Sequence, residues 1–210
     1  VKVLLVNGSP HSKGCTYTGL LEIQKTLKEE HVDSEIFQIG NKPISGCIAC
    51  GACSKLKKCA INDTVNEFLK VAKKADGFIF GSPVHYAGAT GAITSFMDRA
   101  FFTALCSNSD VFYLKPAACI TSARRAGTTA TFDRMNKYFS LSEMPIISSR
   151  YWNMIHGNSP EDVKKDLEGL QIMRVLARNM AWFLRCKEAA IELGIAYPKK
   201  EARERTNFIQ

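Results

Sequence analysis

Four cysteines crowd one short stretch of the 210-residue chain, in the pattern Cys47-x2-Cys50-x2-Cys53-x5-Cys59. Two-residue spacers let the thiolates of one tight loop converge on a single centre, and an iron–sulfur cluster takes four such soft ligands. The five residues from Ser54 to Lys58 give the chain room to turn, so that Cys59 closes the same site. Gly46 and Gly51 ease the backbone, and Lys55, Lys57 and Lys58 offset negative charge. Zinc held by four thiolates is an alternative, although structural zinc usually draws on two separated pairs. A metal-free loop that shapes a pocket or a subunit contact is a third. The other cysteines, Cys15, Cys106, Cys119 and Cys186, are scattered and read as small core residues.

Three small, polar loops are the second chemical feature. The first is Asn7-Gly8-Ser9-Pro10 with His11 to Thr16 behind it, the second Ser82-Pro83-Val84-His85-Tyr86-Ala87-Gly88, and the third Ser122-Ala123-Arg124-Arg125-Ala126-Gly127. Ser, Gly and Thr at a helix start present N–H groups and hydroxyls to an anion, with the helix dipole adding to the attraction. The first loop is therefore either a phosphate cradle or an ordinary turn capped by Ser or Thr.

The elements that must position these loops follow from hydrophobic period. Val1 and Val3–Val6 make a short, fully buried strand rather than an alternating one. A helix from about Thr16 to Glu30 carries Leu20, Ile23 and Leu27 on one face. Ser34 to Ile39 alternates as an edge strand, and residues 40–62 show neither period. Asp63 caps a helix bearing Val65, Phe68, Leu69 and Ala72. Buried strands are expected at Gly77–Gly81 and Pro116–Thr121, with helices at Gly91–Leu105 and Thr128–Leu141, a last strand at Pro145–Ser148, and the run Tyr151 to Gly157 unassigned. Ser159-Pro160 opens one long final helix, striped by Val163, Leu167, Leu170, Met173, Leu176, Met180 and Phe183. The basic tail from Tyr197 reads as exposed.

Strands alternating with helices predict one α/β domain over residues 1–210. It is a three-layer sandwich: a five-stranded parallel sheet of flavodoxin-like order 2-1-3-4-5 with helices on both faces and a cysteine-rich loop at 40–62. The three polar loops follow strands one, three and four. All fall at the carboxyl end of the sheet, beside the switch point where such folds bind ligands.

Bulk properties narrow the classes. Apolar content of 46% and charged content of 23% are those of an ordinary globular domain. The N-terminal residues do not read as a secretory signal, and no segment has the roughly 18 apolar residues of a membrane span, so a cytoplasmic protein is expected. A net charge of +8 suits phosphate-bearing partners. The basic residues are dispersed, without a helix-turn-helix pattern or aromatic interleaving, and nucleic acid is not the expected partner.

Val3 to Pro10, Gly14-x-Thr16, Gly81-Ser82-Pro83-Val84-x-Tyr86 and Ala92-Ile93-x-x-Phe96-Met97-Asp98-Arg99 together resemble the NADPH-dependent FMN reductase family over about the first 130 residues. Within that family the cysteine spacing is similar to that of the iron–sulfur flavoproteins. The resemblance implies FMN with Ser9, His11, Ser12, Cys15 and Thr16 around its phosphate. Pro83, Val84, His85 and Tyr86 would line its ring system, and Ser122, Arg124 and Gly127 would come from the third loop. It implies hydride transfer from NAD(P)H to flavin N5, then delivery to an acceptor, and a 4Fe–4S cluster on Cys47, Cys50, Cys53 and Cys59. Two departures stand out: Cys15 replaces the usual Asn, and His85 the usual Tyr. A non-enzymatic electron carrier or redox sensor is the alternative function. A homodimer or homotetramer is expected, since Trp182 and Ile172 lie off the final helix's main stripe and such flavin sites are often closed by a neighbouring subunit.

Overall fold

A computed structural model of the protein describes residues 1–202, 204 and 206–208. Its elements run β1 (Lys2–Asn7), α1 (Cys15–Glu29), β2 (Asp33–Gln38), α2 (Cys53–Leu56), α3 (Thr64–Ala72), β3 (Gly77–His85), β4 (Gly88–Ala89), α4 (Gly91–Cys106), β5 (Ala117–Ala123), α5 (Thr128–Leu141), β6 (Met154–His156), α6 (Pro160–Val163) and α7 (Leu167–Glu192). Five parallel strands are ordered β2-β1-β3-β5-β6, and β4 pairs antiparallel with the end of β3. With that two-residue strand set aside, the order is the expected flavodoxin-like one.

The central strands are buried on both faces because each face feeds its own core. Leu4, Val6, Phe78, Phe80, Ala117 and Cys119 point to one side, where α3, α4 and α5 supply Phe68, Phe96, Phe101 and Phe139. Val3, Leu5, Ile79, Ala118 and Ile120 point to the other, against Leu20, Ile23 and Leu27 of α1 and Met173, Leu176 and Met180 of α7. The alternation is the period-two geometry of a strand, hidden in the sequence because both sets are apolar. β2 is an edge strand, and its residues are only partly covered.

Four expectations are corrected. Pro145–Ser148 contributes only a single bridge, Ala117 to Ile146, and the last strand is Met154–His156, whose Thr121, Ser122 and Ala123 partners fix its register. The second polar stretch is not a loop throughout: β3 continues to His85 and folds back through β4. The final helix is two helices. Ser159 caps α6, and Asp166 then starts α7 by accepting from the Gly169 N–H at 2.9 Å. Ile172 is buried, 2% exposed, whereas Trp182 is 63% exposed, so only the tryptophan remains off the core. The basic tail falls partly outside the described residues.

Candidate functional site

A cleft of about 500 Å³ opens at the carboxyl end of the sheet, lined by residues 9–16, Pro83, His85, Ser122 and Asn158–Pro160. Its floor is built by hydrogen bonds that leave the first loop little freedom. The Gly8 N–H donates to Gly81 O at 2.8 Å, joining the end of β1 to β3. A Cβ on Gly8 would stand 2.6 Å from that same oxygen, so the approach needs glycine. Asn7 Oδ1 accepts from the Ser9 N–H at 3.1 Å, and Ser9 Oγ accepts from the His11 N–H at 3.1 Å. Gln38 on the neighbouring strand donates to Ser9 O at 2.6 Å. A hydroxyl pair, Thr16 Oγ1 and Ser122 Oγ at 2.7 Å, ties α1 to β5.

The start of α1 faces this cleft without a side-chain cap. Gly14 is the N-cap residue and has no side-chain oxygen to accept from the helix N–H groups. The first N–H groups of an α-helix have no partner within the helix, so those of α1 fall to whatever the cleft holds. Positive charge from the helix dipole and Lys13 makes the position suited to an anion. Cys15 is half-buried and its thiol donates to Gly157 O at 3.6 Å. Burial pushes this thiol's pKa up, and the carboxylates of Asp162 and Glu161 push it the same way. The helix start therefore carries a neutral thiol rather than an activated nucleophile.

Of the expected flavin-site residues, Ser9, His11, Ser12, Cys15, Thr16, Pro83, His85 and Ser122 share the cleft. Val84, Tyr86, Arg124 and Gly127 do not line it. Tyr86 sits fully exposed at the tip of the β3–β4 hairpin, and Arg124 is exposed on the third loop. Gly127 acts through shape instead. Its φ is +96°, and a Cβ there would lie 2.6 Å from Ala87 Cα and 2.7 Å from Val84 Cγ1. The third loop thus packs directly on the hairpin. Asn158, Ser159 and Pro160 form a wall that sequence reasoning missed. Ser159-Pro160 was legible only as a helix start, and nothing local showed that β6 carries it to the cleft.

The four clustered cysteines border one small pocket together with Ile61, Arg99, Phe102 and Thr103. Cys53 is buried at the start of α2, Cys59 is half-buried, and Cys47 and Cys50 are exposed. Among the described residues, no three His, Cys, Asp or Glu side chains are grouped closely enough to hold a single metal ion. Cys59 is held most firmly. Its N–H donates to Asn66 Oδ1 at 2.9 Å, and its carbonyl accepts from Asn66 Nδ2 at 2.9 Å. Arg99 of α4 donates to Cys59 Sγ from both Nε and Nη2 at 3.3 Å. The same guanidinium grips Asp63 at 2.6 and 2.9 Å and is 1% exposed. Burial opposes the charge of Arg99, but Asp63 and Cys59 more than offset it and its pKa lies above the ordinary value.

Comparison with known proteins agrees with this geometry. Residues 1–159 match the family described as NADPH-dependent FMN reductase. An iron–sulfur flavoprotein of Methanocaldococcus jannaschii is 30% identical over 190 residues, covering 86% of this chain and 96% of its own. Among solved structures, the flavodoxin-like WrbA-like protein of Agrobacterium tumefaciens superposes with a TM-score of 0.60 at 15% identity, over 88% of this chain and 98% of that one. The flavoenzyme NAD(P)H:(acceptor) oxidoreductase FerB of Paracoccus denitrificans gives 0.65 at 12%, over 88% and 97%. An uncapped helix start, three loops gathered at the carboxyl end of a flavodoxin-like sheet, and a family match across three quarters of the chain lead to one assignment: the chain belongs to the NADPH-dependent FMN reductase family of flavin-dependent oxidoreductases, with relatives named iron–sulfur flavoproteins.

Proposed function

We propose that the protein is an FMN-dependent NAD(P)H oxidoreductase that delivers electrons to a quinone, a flavin or an electron-transfer protein, with a 4Fe–4S cluster in its cysteine loop. The observation that carries this reading is the cleft itself. Its volume, about 500 Å³, lies in the usual range for cofactor sites, and its inner end is a helix start with free N–H donors. Bound there, FMN supplies hydride acceptance at N5 and onward release of electrons.

The chain's own residues bind and orient. Ser9, His11, Ser12, Thr16 and the N–H groups at Cys15 and Thr16 would hold the phosphate. Pro83 and His85 on the rim of β3 would form one wall for the ring system, and Asn158 to Pro160 another. Ser122, already paired with Thr16, locks the loop after β5 against the phosphate side. Arg124, exposed on the third loop, would attract a nucleotide phosphate or steady the flavin's reduced charge.

Cys47, Cys50, Cys53 and Cys59 would hold the cluster, which supplies single-electron steps. The donor set fits: four thiols border one pocket, with a buried guanidinium beside one of them. The pocket between them is narrow, about 20 Å³. A homodimer or homotetramer in the cytoplasm completes the proposal, with exposed Trp182 on α7 as the subunit contact. No helix among the described residues is long and apolar enough to cross a membrane.

Mixing anaerobically purified protein, FMN and NAD(P)H without a partner tests the reading. Rapid bleaching of the flavin and about four irons per chain are expected. Bound FMN without bleaching would favour a flavodoxin-like carrier or redox sensor, and flavin without iron or sulfide would remove the cluster.

A further inference from the structure

We infer that Arg99 is the positioning residue that closes the base of the cysteine loop and, through its bonds to Cys59 Sγ, sets the reduction potential of the cluster held there. This rests on the cluster reading above.

Arg99 lies in α4, outside the cysteine run, yet its guanidinium binds both ends of that run. Nη1 donates to Ser45 O at 3.4 Å, two residues before Cys47, and Nη2 donates to Ile61 O at 2.9 Å, two residues after Cys59. Asp63, the N-cap of α3, takes two further bonds. One buried cation therefore closes the base of a loop that has almost no regular structure of its own. A planar five-donor fork can do this, and a lysine point charge cannot.

The same fork places two N–H groups on Cys59 Sγ. Hydrogen bonds to the sulfurs and local net charge set the potential of an iron–sulfur centre. A fixed positive charge beside one ligand favours the reduced, more negative state and raises the potential. Asp63 partly cancels that charge. The pair is thus a two-way control: removing the guanidinium must lower the potential, and removing the carboxylate must raise it. Asn66 already clamps the Cys59 backbone, so the ligand keeps its place while the charge beside it changes.

The experiment compares wild type with Arg99→Lys, Arg99→Gln and Asp63→Asn, all purified anaerobically. Asn is as good an N-cap as Asp, and Arg99 keeps its Ser45, Ile61 and Cys59 bonds in that variant. Iron and sulfide per chain are measured first, then the midpoint potential by redox titration followed by electron paramagnetic resonance. The expected result is a shift to more negative potential in Arg99→Lys, a larger one in Arg99→Gln, and a positive shift in Asp63→Asn. If the arginine variants lose their iron, the positive shift in Asp63→Asn alone supports the inference. Full iron with unchanged potentials overturns it and leaves Arg99 a structural clasp. So does iron loss in the arginine variants with no shift in Asp63→Asn. Wild type without iron or sulfide removes the cluster reading itself, and is read before any variant is compared.

Discussion

Single residues decide how the cleft treats an anion, and Cys15 is the most informative of them. Its thiol is neutral and turned to Gly157 O, so it offers the cleft only its backbone N–H. An asparagine there would add a side-chain donor without altering the helix start, which has no cap to lose. Cys15→Asn is expected to tighten FMN binding by about fivefold, the equivalent of one added hydrogen bond of about 1 kcal/mol. Fluorescence titration of apoprotein with FMN measures it. Equal or weaker binding would place the phosphate away from this position. The Thr16–Ser122 pair works differently. Both hydroxyls are buried and satisfied by each other, so their first task is to join α1 to β5.

At the level of elements, the site depends on the β3–β4 hairpin and the third loop meeting at Gly127. Gly127→Ala forces both a left-handed backbone on alanine and a Cβ into Ala87 and Val84. A loss of about 2–3 kcal/mol in denaturant unfolding is expected, together with weaker FMN binding because Ser122 and the hairpin rim part. Unchanged stability would mean that the two segments separate freely.

This junction also marks what the sequence could and could not reveal. Asp63 as a cap, the apolar stripes of α1 and α3, and the buried strands were legible because their causes are local: a side-chain oxygen at a helix start, or a repeated period. Pro83 and the residues around it read as a turn because Ser, Pro and Gly usually break strands. β3 continues through them because pairing with β5 reaches Pro83 opposite Ser122, a non-local cause. β6 escaped notice for a similar reason. It is three residues long, and only its neighbour β5 makes it a strand. Arg99 ends the Ala92-Ile93-x-x-Phe96-Met97-Asp98-Arg99 motif, but its link to Cys59 spans 40 residues and has no local signature.

For the molecule as a whole, two separate cores clasp one sheet, and the functional features divide between them. The aromatic core lies under α3, α4 and α5, and α4 also carries Arg99 to the cysteine loop. The aliphatic core lies under α1 and α7, which are further joined by Arg174 to Glu22 at 2.6 Å and Arg185 to Glu30 at 3.2 Å. The molecule carries a net charge of +8. Long-range attraction of that kind speeds capture of anionic cofactors and fades with salt. FMN association is expected to slow as ionic strength rises from low to physiological, with little change in Tm. Stopped-flow fluorescence at several salt concentrations checks this, and salt-independent association would confine the useful charge to the helix start.

The tip of the hairpin has a consequence of another kind. Tyr86 and Ala87 both hold left-handed backbone, φ +48° and +59°, in a two-residue turn where Asn-Gly would sit without strain. The cost falls on Tyr86, the most exposed aromatic residue among those described, beside the cleft. Substitutions at Tyr86, whose side chain is fully exposed, can therefore soften or stiffen the rim, whereas Ala87 is held by its close packing on Gly127. Among descendants of one ancestral scaffold, this is where a lineage could change what it admits to its flavin while leaving the rest of its architecture alone.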